Sequence, residues 1–168
     1  TTAHIYNNYY DGVSVYCIGN PTESSALIEA NYFRNCNRPM MISGQGTDTY
    51  DPSTGTYTKE GTFSGQDGGM NKAFNNLFAG DYKLVYQTDH PVQFDAYRVN
   101  GIKDSIPRSV RSVRGNWPYS NFDMNPEIAY PYIADAPGEV ADIVTAFAGR
   151  LNGGDFRWSF NNQTEDDN

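Results

Sequence analysis

An asparagine–aromatic pattern that returns at a fixed spacing constrains this chain more than any other feature. It occurs at Tyr6-Asn7-Asn8-Tyr9-Tyr10-Asp11-Gly12, at Glu29-Ala30-Asn31-Tyr32-Phe33-Arg34-Asn35 and at Phe74-Asn75-Asn76-Leu77-Phe78-Ala79-Gly80. Each copy has an Asn, a large apolar residue, an aromatic and then a polar or small turn. Asn8 and Asn31 stand 23 residues apart, and Asn31 and Asn76 stand 45 apart. The second spacing is two periods, or one period with a 22-residue insertion. Segment 43–69 holds seven Gly and six Thr with almost no apolar pattern, so it reads as an inserted surface loop.

A short period with β-rich units predicts a solenoid of parallel strands whose equivalent residues form columns. Asn in a column can link its amide to the strands on either side and so satisfy buried turn groups. Stacked aromatics fill the space beside it. Composition agrees: 13 Tyr, 9 Phe and 2 Trp, with only 19% charged residues, favour strands over helices. Chance recurrence in a chain rich in Asn and aromatics is the competing account.

The 23-residue register sets Ala3-His4-Ile5 beside Ala26-Leu27-Ile28 and Asp11 beside Arg34, an opposite-charge pair. It also sets Arg38 beside Lys83. Two like charges on adjacent strands are costly unless something anionic lies across them. The pair is therefore either a site for an acidic polymer or two long side chains splaying into solvent. The same register sets Cys17 beside Met40 and Cys36 beside Val13. Four residues of extended chain span more than ~13 Å, beyond the reach of a disulfide unless a corner intervenes, so two small buried thiols are expected.

After Gln87 the pattern changes. Residues 105–115 read as a short helix, with Pro107 in the first turn, Gly115 at the end and Arg108, Arg111 and Arg114 on one solvated face. A second helix is expected over 139–148, where Val140, Ile143, Val144 and Phe147 recur at helical spacing. Phe156, Trp158 and Phe160 alternate as in a half-buried strand. Residues 90–160 read as a wrap packed along the solenoid, and 161–168 as a polar tail.

Net charge −8 argues against nucleic acid and against an anionic membrane as partner. No apolar run is long enough for a transmembrane helix, and no signal-peptide pattern is visible. The chain begins Thr-Thr, so a processed protein or a piece of a longer one is expected.

The run His4-Ile5-Tyr6-Asn7-Asn8-Tyr9-Tyr10 resembles the HxYNNYY element of pectate lyases of polysaccharide lyase family one. Asn31-Tyr32-Phe33-Arg34-Asn35-Cys36-Asn37-Arg38-Pro39-Met40 resembles the coil that follows it. Val110 to Gly115, Tyr119 to Asp123, and Phe147 to Trp158 resemble the family's C-terminal wrap. The resemblance implies an all-β fold, a right-handed parallel β-helix segment (1–89, with the inserted loop 43–69) and a C-terminal wrap with one or two short helices. It implies secretion or a periplasmic place, and cleavage of polygalacturonate by β-elimination, with Ca²⁺ bridging carboxylates and an Arg as base. The −8 charge is consistent with a need for divalent ions or local cations against a polyanion.

The family's RxPxxRxG-like element precedes the HxYNNYY run, where this chain has only Thr1-Thr2-Ala3. The catalytic Arg and the calcium ligands are therefore expected upstream of residue 1, in an N-terminal half of the same protein or of a separate nicked chain. Ile106-Pro107-Arg108-Ser109-Val110-Arg111 lacks both Arg of that element and lies in the wrap. No catalytic and no metal-ligating residue is assigned within 1–168. Substrate contacts are assigned to Arg34, Arg38, Lys83, Tyr57 and Lys59, with Phe63 beside them. His4 is read as structural and His90 as a turn residue. Asp48, Asp51, Glu60 and Asp67 are read as solvated loop acids, since they lack calcium-loop spacing. The alternatives are a non-catalytic carbohydrate-binding or adhesive solenoid, and a pectin lyase acting on methylated pectin.

Overall fold

The computed structural model describes residues 1–58, 61, 64–114, 116–124 and 130–148. Its strands are β1 (Thr2–Tyr6), β2 (Tyr9–Asp11), β3 (Ile18–Asn20), β4 (Ser25–Glu29), β5 (Tyr32–Arg34), β6 (Met40–Ile42), β7 (Tyr50–Asp51), β8 (Thr56–Tyr57), β9 (Met70–Phe74), β10 (Leu77–Ala79) and β11 (Tyr97–Arg98). Among the described residues there is one α-helix, α1 (Val140–Phe147), and no helix long and apolar enough to cross a membrane.

Three sheets are parallel, in the orders β1-β4-β9-β11, β2-β5-β10 and β3-β6, and β7-β8 is an antiparallel hairpin. The repeat spacing is the strand register. Thr2 faces Ser25 and Tyr9 faces Tyr32, an offset of 23; Ser25 faces Met70 and Tyr32 faces Leu77, an offset of 45. The 45-residue spacing is thus one register step with an insertion. Between β3 and β6 the offset falls to 22, with Ile18 opposite Met40, because the turn after β2 carries one extra residue.

Alternate residues of β4 and β9 point inward. Ala26, Ile28 and Ala73 pack with Ile18, Phe33, Cys36 and Met40 in one cluster. Tyr10, Phe33 and Phe78 stack with centroids 4.9 and 5.3 Å apart and planes within 10°, each pair adding ~0.5–1.5 kcal/mol beyond its buried area. Beside them runs the asparagine column. The N–H of Asn8 donates to Asn31 Oδ1, and that of Asn31 to Asn76 Oδ1, both at 3.0 Å. The preceding turn is left-handed at Asn7, Ala30 and Asn75 (φ 53°, 51° and 51°). Ala30 pays ~1–2 kcal/mol for that conformation, which the adjacent Asn31 bonds offset.

Several expectations need correction. Cys17 lies opposite Pro39, not Met40, because its N–H bonds Arg38 O under the 22-residue offset. The chain turns between Val13 and Cys17, so the straight-strand distance does not apply: Cys17 packs against the cluster that holds Cys36, whose thiol donates to Arg34 O at 3.3 Å. Residues 105–114 do not form a helix. Pro107–Val110 is a turn, and Arg111 bridges Pro118 antiparallel while Ser112 N bonds Trp117 O. The loop 43–69 is not all surface, since Ser43 to Thr49 is buried. Helix α1 occurs at its expected place but buries only Val140, and Phe147 is 68% exposed. The expected strand 156–160 and tail 161–168 lie outside the described residues.

The late segment crosses the outer face of the β1-β4-β9 sheet. Lys72 pairs with Asp123, Tyr132 donates to Glu29 (2.7 Å), His4 meets Tyr130 (2.6 Å), and Asp135 N donates to Asn7 Oδ1 (3.1 Å). His4 also contacts Glu29 on the neighbouring strand at 3.0 Å, matching a structural role.

Candidate functional site

The turns that follow β5 and β10 carry Arg38 and Lys83. Lys83 N donates to Asn37 O at 2.7 Å, which sets Lys83 beside Arg38 in the 45-residue register. Both line a cleft of about 130 Å³, together with Thr47, Asp48, Tyr50 and Asp51 from the inserted loop. Arg38 Nε is buried and donates to no described residue. Such an orphan donor is costly unless a ligand or water accepts from it.

One of the two cations already faces an anionic group of the protein itself. Asp51 Oδ2 is 3.7 Å from Lys83 Nζ, with both side chains well exposed. Ser53 donates its hydroxyl and N–H to the Asp51 carboxylate and holds it below the usual carboxylate range, with the Lys83 charge adding to the effect. The exposed ion pair is weak and open to exchange with another carboxylate.

The cleft floor is held by buried hydrogen bonds. Thr47 donates both its N–H and its hydroxyl to Asp95 Oδ1 at 2.9 Å, and Val85 N–H donates to Asp95 Oδ2 at 2.9 Å. Gln45 donates to Phe94 O (2.8 Å) and accepts from Val113 N–H (2.6 Å). Full burial pushes the Asp95 carboxyl up to about 7, against the pull of its three hydrogen bonds and of Arg38's charge. A Cβ on Gly46 would strike Asp95 and the Phe94 backbone, and its φ of +55° suits glycine. Sequence reasoning missed Asp95, Gln45 and Thr47. The only signal for them was the clustering of Gly44 and Gly46 around polar residues.

The other assigned contacts separate. Arg34 is held by Asp11 through both carboxylate oxygens, at 2.6 and 2.5 Å, so its fork is already occupied. Tyr57, 58% exposed on β8, lies tilted against Tyr50 (5.0 Å between ring centres) and bonds His90 Nε2 (3.1 Å), forming the outer wall of the hairpin. His90 also accepts Gln93 N–H as part of its turn. Lys59, Glu60 and Phe63 lie outside the described residues. Asp67 pairs with Arg114 at 3.3 Å. Asp48 is buried rather than solvated, and accepts Gly44 N–H at 2.7 Å.

The arrangement can hold an anion between a guanidinium and an ammonium. Among the described residues no three His, Cys, Asp or Glu side chains converge as metal ligands. The chain was compared with protein-family models, curated proteins and solved structures, and no match was found.

Proposed function

We propose that this chain is the C-terminal part of a pectate lyase of polysaccharide lyase family one, and that the Arg38–Lys83 cleft receives a carboxylate of polygalacturonate. The observation that carries the reading is two cations brought side by side by the strand register, one with a buried donor that meets no partner among the described residues. The offsets of 23 and 45 suit successive turns of a right-handed parallel β-helix. The His4–Tyr10 and Asn31–Met40 runs supply the family resemblance.

On this reading the polymer is cleaved by β-elimination. The C5 proton is removed, its electron pair becomes the C4–C5 double bond, and the C4–oxygen bond breaks, with the leaving oxygen taking a proton. The base and the Ca²⁺ ligands belong to an N-terminal half stacked on the free edges of β1, β2 and β3. Arg38 and Lys83 bind and orient substrate and take no proton. Secretion or a periplasmic place goes with such a substrate.

The test is production of unsaturated oligogalacturonide by the complete protein from polygalacturonate, with and without EGTA. Product that disappears with EGTA, and a raised KM in Arg38→Gln and Lys83→Gln, are expected. No product overturns the lyase reading in favour of a non-catalytic carbohydrate-binding solenoid. Product indifferent to EGTA, with preference for methylated pectin, replaces it with a pectin lyase.

A further inference from the structure

A second cavity, about 270 Å³, opens beyond β9 and β10 and shares no lining residue with the Arg38–Lys83 cleft. Its position follows from the strand order. β10 is the last strand of its sheet among the described residues, so Phe78 is the last strand residue of the aromatic stack that begins at Tyr10. Beyond Phe78 the ring of Tyr82 stacks at 5.0 Å and 26°, and Tyr82 is 47% exposed. The other wall is Tyr86, with the Arg98 guanidinium carbon 4.8 Å from its ring centre. Phe74 and Asn76 also line it.

Three features mark this as more than an unfilled end. Arg98 is exposed and pairs with no described carboxylate, while its stacking on Tyr86 leaves the guanidinium edge free for an anion. Burial pushes the Tyr86 phenol up to about 12 against the pull of Arg98's charge, so it stays a neutral donor. The Asn76 N–H, unlike those of Asn8 and Asn31, donates to no side-chain amide among the described residues. Aromatic faces, a free guanidinium edge and isolated donors together suit a ring with apolar C–H faces, hydroxyl groups and a carboxylate. The volume lies just below that of sites for drug-sized ligands, which matches one sugar ring rather than an extended chain.

We propose that Phe78, Tyr82, Tyr86 and Arg98 form a second binding site, for one acidic sugar residue, separate from the Arg38–Lys83 cleft. The choice of galacturonate as probe rests on the function proposed above; the site itself does not. Calorimetric titration of the full chain carrying Arg38→Gln and Lys83→Gln with digalacturonate reads this site alone. Binding is expected there, about tenfold or more weaker once Arg98→Gln is added, and weakened likewise by Tyr82→Ala. Digalactose, which lacks the carboxylate, is expected to bind at least tenfold more weakly. Thermal melting of each variant separates lost binding from lost folding, and Tyr82→Ala serves if Arg98→Gln fails to fold. Unchanged digalacturonate binding in both variants, or digalactose binding as tightly, overturns the proposal. The lyase assay and this titration are separate readouts, so failure of one leaves the other decisive.

Discussion

Lys72 and Asp123 form an ion pair whose side chains are 0% and 5% exposed, although 51 residues separate them. Lys72 occupies the outward face of β9, is 0% exposed, and also donates to Ile102 O at 2.9 Å. Asp123 accepts a second hydrogen bond, from the Tyr119 hydroxyl, at 3.0 Å. The pair fastens the late segment to the sheet.

Removing one partner strands the other charge in a dry site. Asp123→Asn is expected to cost ~3–5 kcal/mol of unfolding free energy. Lys72→Met combined with Asp123→Leu should recover most of that loss. Urea denaturation of the single and double variants measures it, and strictly additive losses would show that the pair is not coupled.

Asp95 makes stability depend on pH. Its folded carboxyl titrates near 7 rather than its ordinary 3.8. The folded state therefore binds the extra proton between those values. The resulting stabilisation is complete below about pH 3.8 and is lost as pH rises through about 7. Asp95→Asn should flatten the stability–pH curve across that window. Chemical denaturation at pH 4, 5.5 and 7 compares the two proteins, and parallel curves would contradict the assignment.

The asparagine column predicts an order of losses. Asn31 is fully buried, and its amide donates to Ile5 O, Glu29 O and Asn76 Oδ1 while its oxygen accepts from Asn8. Asn31→Ala leaves several of these groups unpaired, at ~1–3 kcal/mol each. Asn8→Ala, at the end of the column, should cost less. Melting temperatures rank the two, and an equal or reversed order would count against the column as a unit.

Asp51 competes for Lys83 with any bound carboxylate. Asp51→Asn should tighten digalacturonate binding at the cleft by about two- to fivefold at low salt, and the gain should shrink as salt rises. Calorimetry at two salt concentrations tests this, and weaker binding in the variant would assign Asp51 to the ligand side instead.

The two thiols should be slow to react. Cys36 is 1% exposed, and that loss of access outweighs the lowering of its thiol by its neighbours; the adjacent Cys36 thiol, with burial, raises the Cys17 thiol well above its ordinary value. An aromatic disulfide reagent should titrate two thiols in denaturant and react far more slowly with the folded protein. Equal rates would place the cysteines outside the core.

How much of this was legible beforehand divides along one line. A stack of parallel strands relates each residue to the one a fixed number of positions away. The spacing of Asn8, Asn31 and Asn76 therefore determined which strands pair and in what register. It also determined the aromatic stack, the Asp11–Arg34 pair and the meeting of Arg38 with Lys83. Contacts outside that register left no periodic trace. Only the tertiary structure decided that the corner after β2 folds Cys17 back to Cys36, and that Ser43 to Thr49 sinks beneath Asp95. It also decided that the late segment crosses the outer face to cover Lys72. In each case the partners come from segments with no fixed spacing between them, and buried polar groups accept such partners because an unpaired donor or charge in a dry site costs more than the ordering needed to reach one.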